Sequence, residues 1–174
     1  VERCGMPSSV PPEKNAVRQF LRKAGREPEW TELQGVAYGT GMEKAEAFSG
    51  ALKFVRDALA SGVQIRIISH RTRNPIVGDK TDLHESALRW LQRAGFVGTG
   101  VLRNEDVFFE TTKEGKLVCI AEQECGVFLD DLPELLMADS FPPGVEGWLF
   151  APAQPTSAYP RVVTSWAEFG RRFL

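Results

Sequence analysis

From Phe48 onward the chain alternates two hydrophobic periods, and that alternation limits the folds open to it. Leu52, Val55 and Leu59 recur at helical spacing, and Gly62 follows them. Residues 63–68 are rich in β-branched side chains and predict a buried strand. Residues 82–94 predict a helix whose stripe is Leu83, Ala87, Trp90 and Leu91, closed by Gly95. Residues 107–109 predict a short strand, 112–124 a helix and 126–129 a second buried strand. Pro133 and Glu134 open another helix, and residues 147–150 and 161–163 predict further strands. Ser165 and Glu168 stand in capping-box positions of a final helix. Strands alternating with helices imply an α/β fold: a parallel sheet with flanking helices.

Before Phe48 the pattern differs. The start, residues 1–12, is punctuated by Pro and Ser and predicts irregular chain. Ala16, Val17, Phe20, Leu21 and Ala24 share one helical face, with Gly25 as the stop. Trp30, Leu33, Val36 and Ala37 predict a second short helix, broken by Gly39 and Gly41. Arg18, Arg22, Lys23 and Arg26 edge this pair, as a small lid or simply a solvated face. Residues 1–47 are therefore expected to be a helical insert and residues 48–174 the core of one domain.

A net charge of −2 argues against a nucleic-acid-binding surface spread over the molecule. No apolar run is long enough to cross a bilayer, and no signal peptide is visible, since residues 1–12 have no apolar core segment. Cys4, Cys119 and Cys125 are odd in number and lack metal-site spacing; Cys119 falls in an apolar helical pattern and predicts a core residue. A reducing cytoplasm is the expected setting. The first residue is Val1, which raises the expectation of a fragment. The longest plain loop is the Pro-rich stretch 151–160.

Polar groups interrupt the pattern where strands end and helices begin. Ser69 follows the predicted strand 63–68, with His70, Arg71 and Arg73 beside it. A hydroxyl with backbone N–H groups at such an end can hold a phosphate oxygen, and arginines suit a phosphate; the same hydroxyl also reads as a loop cap. Thr111 and Glu114 fit a capping box that puts Lys113 in the first turn of its helix, against the macrodipole. Lys116 is a second candidate one turn on. Asp130 and Asp131 end the strand 126–129, where α/β sheets bind ligands. Adjacent carboxylates call for a compensating cation, and Mg²⁺ prefers oxygen ligands; a solvated acidic turn is the other reading.

Taken in order, these groups resemble motifs of the haloacid dehalogenase-like hydrolase superfamily. Ile67-Ile68-Ser69 is similar to its second motif, Lys113 to the third and Phe128-Leu129-Asp130-Asp131 to the fourth. The likeness runs from Phe48 to the end. The run from Ser69 to Arg73, with Asp82-Leu83-His84 after it, is similar to a subgroup of bacterial and phage-type members. Its Ser-x-Arg element is also similar to the phosphatase half of polynucleotide kinases, which points to nucleotide or polynucleotide substrates. The resemblance implies a Rossmann-like parallel sheet and a Mg²⁺-dependent phosphohydrolase acting on a small phosphorylated metabolite or nucleotide. In it Ser69 and Lys113 are catalytic; Ser69, His70, Arg71, Arg73 and Lys113 bind substrate; Asp130 and Asp131 hold Mg²⁺.

The family's first motif, Asp-x-Asp-x-Thr at the end of a central strand, has no counterpart here. The 174 residues contain no Asp-x-Asp, and the one Asp before Ser69 is Asp57, in a predicted helix. Either a leading segment carries that strand and the nucleophile, or the chain is a degenerate member that binds without hydrolysing. In the family the first strand lies between those ending in the second and fourth motifs. Without it the strands 63–68 and 126–129 are expected to pair directly, to pair with another segment, or to fold poorly.

Overall fold

The structure, a computed structural model, describes residues 6–11, 14–78, 80–153 and 159–174. Residues 1–5, 12–13, 79 and 154–158 lie outside the described residues, among them Cys4, half of the predicted irregular start 1–12 and the middle of the 151–160 loop. The chain divides into two compact units: residues 1–45 with 73–87, and residues 46–72 with 88–174.

In the first unit, α1 (Lys14–Lys23) and α2 (Glu27–Tyr38) close on a small core of Val17, Leu21 and Trp30. Gly25 lies between them at φ 70°, a left-handed conformation that glycine adopts at little cost. Pro28 sits in the first turn of α2, where its missing N–H leaves no bond unmade. A short 3₁₀ helix, Thr40–Lys44, follows. Pro75 and the Val77 carbonyl crowd Gly35, lying 3.0 and 3.2 Å from where a Cβ would stand. Asp82 accepts the Glu85 N–H at 3.0 Å and so caps α4 (Leu83–Arg93), which crosses the division at residue 87.

The second unit carries α3 (Ala51–Ala60), β1 (Ile67–His70), β2 (Val107–Glu110) and α5 (Lys113–Glu122). It continues with β3 (Val127–Asp130), α6 (Pro133–Leu136), β4 (Glu146–Phe150), β5 (Val162–Val163) and α7 (Trp166–Phe173). Every strand pair is parallel. The strands form two ladders, β1-β2 and β3-β4-β5. Side chains alternate across a strand, and both ladders obey the same alternation. Ile67, Val107, Val127, Leu129, Trp148 and Phe150 pack with α3 and α7 around Phe54 and Phe169. Ile68, Phe108, Phe128 and Leu149 pack with α5 and α6 around Ile120 and Leu135. The ladders thus share the same two apolar layers, one on each face. The chain is mixed α/β, with parallel strands and helices on both faces of them. No helix among the described residues is long and apolar enough to cross a membrane.

Three local readings are corrected. The strand predicted at 63–68 is β1, Ile67–His70, so Ser69 and His70 lie inside the strand and not after it. A strand exists only where it has a partner; β2 offers Val107 to Glu110, and the register opens at Ile67↔Val107. Val63 instead donates to the Ala58 carbonyl at 2.9 Å and finishes the turn after α3. The N-cap of α5 is Thr112, not Thr111: its Oγ1 accepts the Gly115 N–H at 2.9 Å. Glu168 accepts the Thr164 N–H at 2.9 Å, one residue before the Ser165 cap, while the Ser165 hydroxyl accepts the Glu168 N–H as expected. Cys119 is buried in α5, and burial pushes its thiol up to about 11, so it stays protonated.

Between β1 and β3 there is no ladder among the described residues: β1 pairs with β2 and β3 with β4. Of the outcomes expected from the sequence, direct pairing of these strands is therefore not the one adopted.

Gly147 in β4 makes room for Tyr159, whose hydroxyl lies 2.5 Å from where a Cβ would stand, with Leu136 and Phe141 at 3.3 and 3.4 Å. Overpacking such a site costs about 1–3 kcal/mol. Gly147→Ala should lower stability by that amount in urea unfolding; an unchanged midpoint would show that Tyr159 moves aside freely.

Candidate functional site

Parallel strands bring their carboxyl ends to one edge. β1 ends in Ser69 and His70, β2 in Glu110, and β3 in Asp130. Ser69 is in register with Phe109 and His70 with Glu110, and the Arg71 N–H donates to the Glu110 carbonyl at 2.7 Å. The chain then turns into α5, whose first residue is Lys113.

Strand alternation decides where Asp130 points. Phe128 faces the layer of α5 and α6, so Asp130, two residues on, faces it too. There it meets Lys116: Nζ donates to Oδ2 at 2.5 Å, and each side chain is only 7% exposed. Oδ1 accepts the Leu132 N–H at 2.9 Å, which turns the chain toward α6. The Lys116 ammonium also lies 5.3 Å from the centroid of the Phe128 ring, a cation–π contact. The lysine therefore has a carboxylate and an aromatic face in place of water.

Of the candidate lysines, it is thus Lys116 that the fold brings to Asp130. Lys113 is exposed and makes no hydrogen bond or ion pair among the described residues. One helical turn separates them. Residues 116, 117, 119 and 120 form the buried face of α5, and residue 113 stands at its solvent end. Asp131 is exposed beside the pair. The Ser69 side chain is half-buried and His70 is exposed; neither has a hydrogen-bond partner among the described residues. Arg71 is half-buried. Arg73 belongs to the other unit, where its Nε donates to Asp82 at 3.0 Å.

Glu110 escaped sequence reasoning. Its carboxylate sits over the first turn of α5, 2.8 Å from where a Cβ on Gly115 would stand. The signal was available: like Asp130, it is the acid that directly follows an apolar strand. Asp57, the one Asp before Ser69, is held in α3 by Lys53 at 2.5 Å.

Whether these residues suit Mg²⁺ turns on Asp130. No cluster of three or more His, Cys, Asp or Glu that would hold a metal occurs among the described residues. Mg²⁺ often takes only one or two carboxylates, with waters and substrate phosphate completing the shell. Asp131 is open to such a role, but both oxygens of Asp130 are engaged. The pair fits the ion only when Lys116 is elsewhere.

Removing one member of a buried ion pair leaves the other charge uncompensated, at about 3–5 kcal/mol. Lys116→Met should cost that much in chemical denaturation, whereas Lys113→Met, at the surface, should stay within about 0.5 kcal/mol. Equal small losses would show that the pair is solvated. Comparison with protein-family models, with curated proteins and with solved structures finds no match to this chain.

Proposed function

We propose that the chain is the phosphate-binding core of a haloacid dehalogenase-like phosphohydrolase. The observation that carries this reading is the buried Lys116–Asp130 pair at the carboxyl end of β3. A desolvated lysine and carboxylate there supply a cation and an acid; the Ser69 hydroxyl, next to Ile68 near the end of β1, is set by the same alternation on the other face of its strand and would have to meet a phosphate at the strand ends.

Crossover geometry supports the strand order that this reading needs. α4 joins β1 to β2 and packs Trp90 and Leu91 in the layer of Ile67 and Val107. α5 joins β2 to β3 and packs in the opposite layer. Parallel crossovers are right-handed in about 98% of cases. Two such crossovers on opposite faces run in opposite directions, which puts β3 on the β1 side of β2. The connections then diverge between β1 and β3, and a topological switch of that kind is where α/β sheets bind ligands. It is also where each strand has an edge without a ladder among the described residues.

In the proposed role Ser69 donates to a phosphoryl oxygen, with Arg71 and His70 flanking. Lys116 offsets charge on the phosphoryl group. Lys113 stands exposed at the start of α5, where an ammonium attracts an anion. Asp130 and Asp131 are the acids for Mg²⁺, which when bound would stabilise charge on the transferring group. The nucleophile is not Asp57, which is held by Lys53. It is proposed to come on a strand entering between β1 and β3, outside these 174 residues. A second reading, a phosphate-binding domain without catalysis, is favoured by the lack of Asp-x-Asp in the sequence. The readings share phosphate binding and part on turnover.

Phosphate binding to the 174-residue chain should be detectable by ³¹P line broadening and weaken several-fold in Ser69→Ala. p-Nitrophenyl phosphate should not be turned over by this chain. Absence of phosphate binding would remove both readings. Turnover that vanishes in Asp130→Ala would mean that a nucleophile lies within these residues.

A further inference from the structure

The acid that the hydrolase reading gives to a metal is already paired. Asp130 Oδ2 holds the Lys116 ammonium at 2.5 Å and Oδ1 holds the Leu132 N–H at 2.9 Å. Both side chains are almost wholly out of water. Mg²⁺ binds carboxylate oxygen at about 2.0–2.1 Å and requires near-octahedral room. An ammonium on the same oxygen would stand against it as a like charge at close range in a poorly screened setting.

We propose that Lys116 is the resident counter-cation of Asp130, and that a divalent cation reaches Asp130 only as Lys116 leaves it. Several observations converge on this. Asp130 is buried, so its carboxylate stays charged only beside a compensating partner. Asp131, next in the chain, is exposed and has no partner among the described residues, so a cation arriving there meets Asp130 already neutralised. Lys116 carries a flexible four-carbon stem and its ammonium has no second carboxylate among the described residues. An anion at the sheet edge would give the ammonium an alternative partner. Resting on the reading of Ser69 as a phosphate donor, the inference extends to coupling: phosphate draws Lys116 off Asp130 and so opens the acid to the metal. Anion and cation would then each strengthen the binding of the other by the same factor.

The test is calorimetric titration of Mg²⁺ into the 174-residue chain and its Lys116→Met variant, without phosphate. The variant should bind at least tenfold more tightly, and the gain should disappear in Lys116→Met combined with Asp130→Asn. Equal affinity of wild type and variant would overturn the inference. If Lys116→Met does not fold, Lys116→Gln, which keeps a donor without the charge, takes its place under the same criterion. Repeating the wild-type titration in saturating inorganic phosphate should raise Mg²⁺ affinity toward that of the variant. Phosphate that binds but leaves Mg²⁺ affinity unchanged would overturn the coupling. Phosphate that does not bind at all would remove the phosphohydrolase reading, and the variant comparison alone would then decide the competition.

Discussion

The second unit depends on one buried charge pair. Lys116 comes from α5, which packs on β1 and β2, and Asp130 comes from β3, in the other ladder. No backbone ladder joins those strands among the described residues, so this pair and the shared apolar layers do the joining. Burying both charges is costly in itself, by several kcal/mol per ion. It is offset only if the partners stay together, which holds the start of α5 at the carboxyl end of β3. The Leu132 N–H on the second oxygen then fixes where the chain leaves the strand.

The apolar layers explain why the ladders keep company without pairing. Consecutive residues Ile67 and Ile68 enter opposite layers, and Phe128 and Leu129 do the same from β3. Sliding either strand by one residue would exchange its faces and expose a full set of apolar side chains. The aromatic residues Phe54, Trp148, Trp166 and Phe169 lock one layer, with ring centroids 5.0 to 6.2 Å apart. The inner edges of β1 and β3 remain the weak point. An unpaired buried backbone group costs on the order of 1–3 kcal/mol, against a total stability of about 5–15 kcal/mol. On the proposed hydrolase reading, a further strand would satisfy those edges.

Much of this was legible in the sequence, because helices and strands here follow simple periodicity. Gly25 and Gly62 end their helices at positive φ, and Ser165 caps α7, as their positions suggested. What local pattern did not hold was pairing. Residues 63–66 have strand composition but no ladder partner among the described residues, so the strand begins at Ile67 and takes in Ser69. Thr111 fits the capping-box spacing with Glu114, yet it is Thr112 Oγ1 that reaches the Gly115 N–H and caps the helix. Lys116 looked like one lysine of two because amphipathic reasoning assigns lysine to solvent. Its burial follows from Asp130, fourteen residues away, whose side the strand register sets.

The central claim is that Lys116 and Asp130 act as one buried, neutral unit at the sheet edge. A double-mutant cycle tests it most directly: urea unfolding of the chain, Lys116→Met, Asp130→Asn and the double variant. Residues in direct contact couple by about 0.5–3 kcal/mol. The account predicts a coupling in the upper part of that range, with the double variant more stable than the sum of single losses implies. Strictly additive losses would contradict it, since they would mean that each charge is satisfied by water and not by the other.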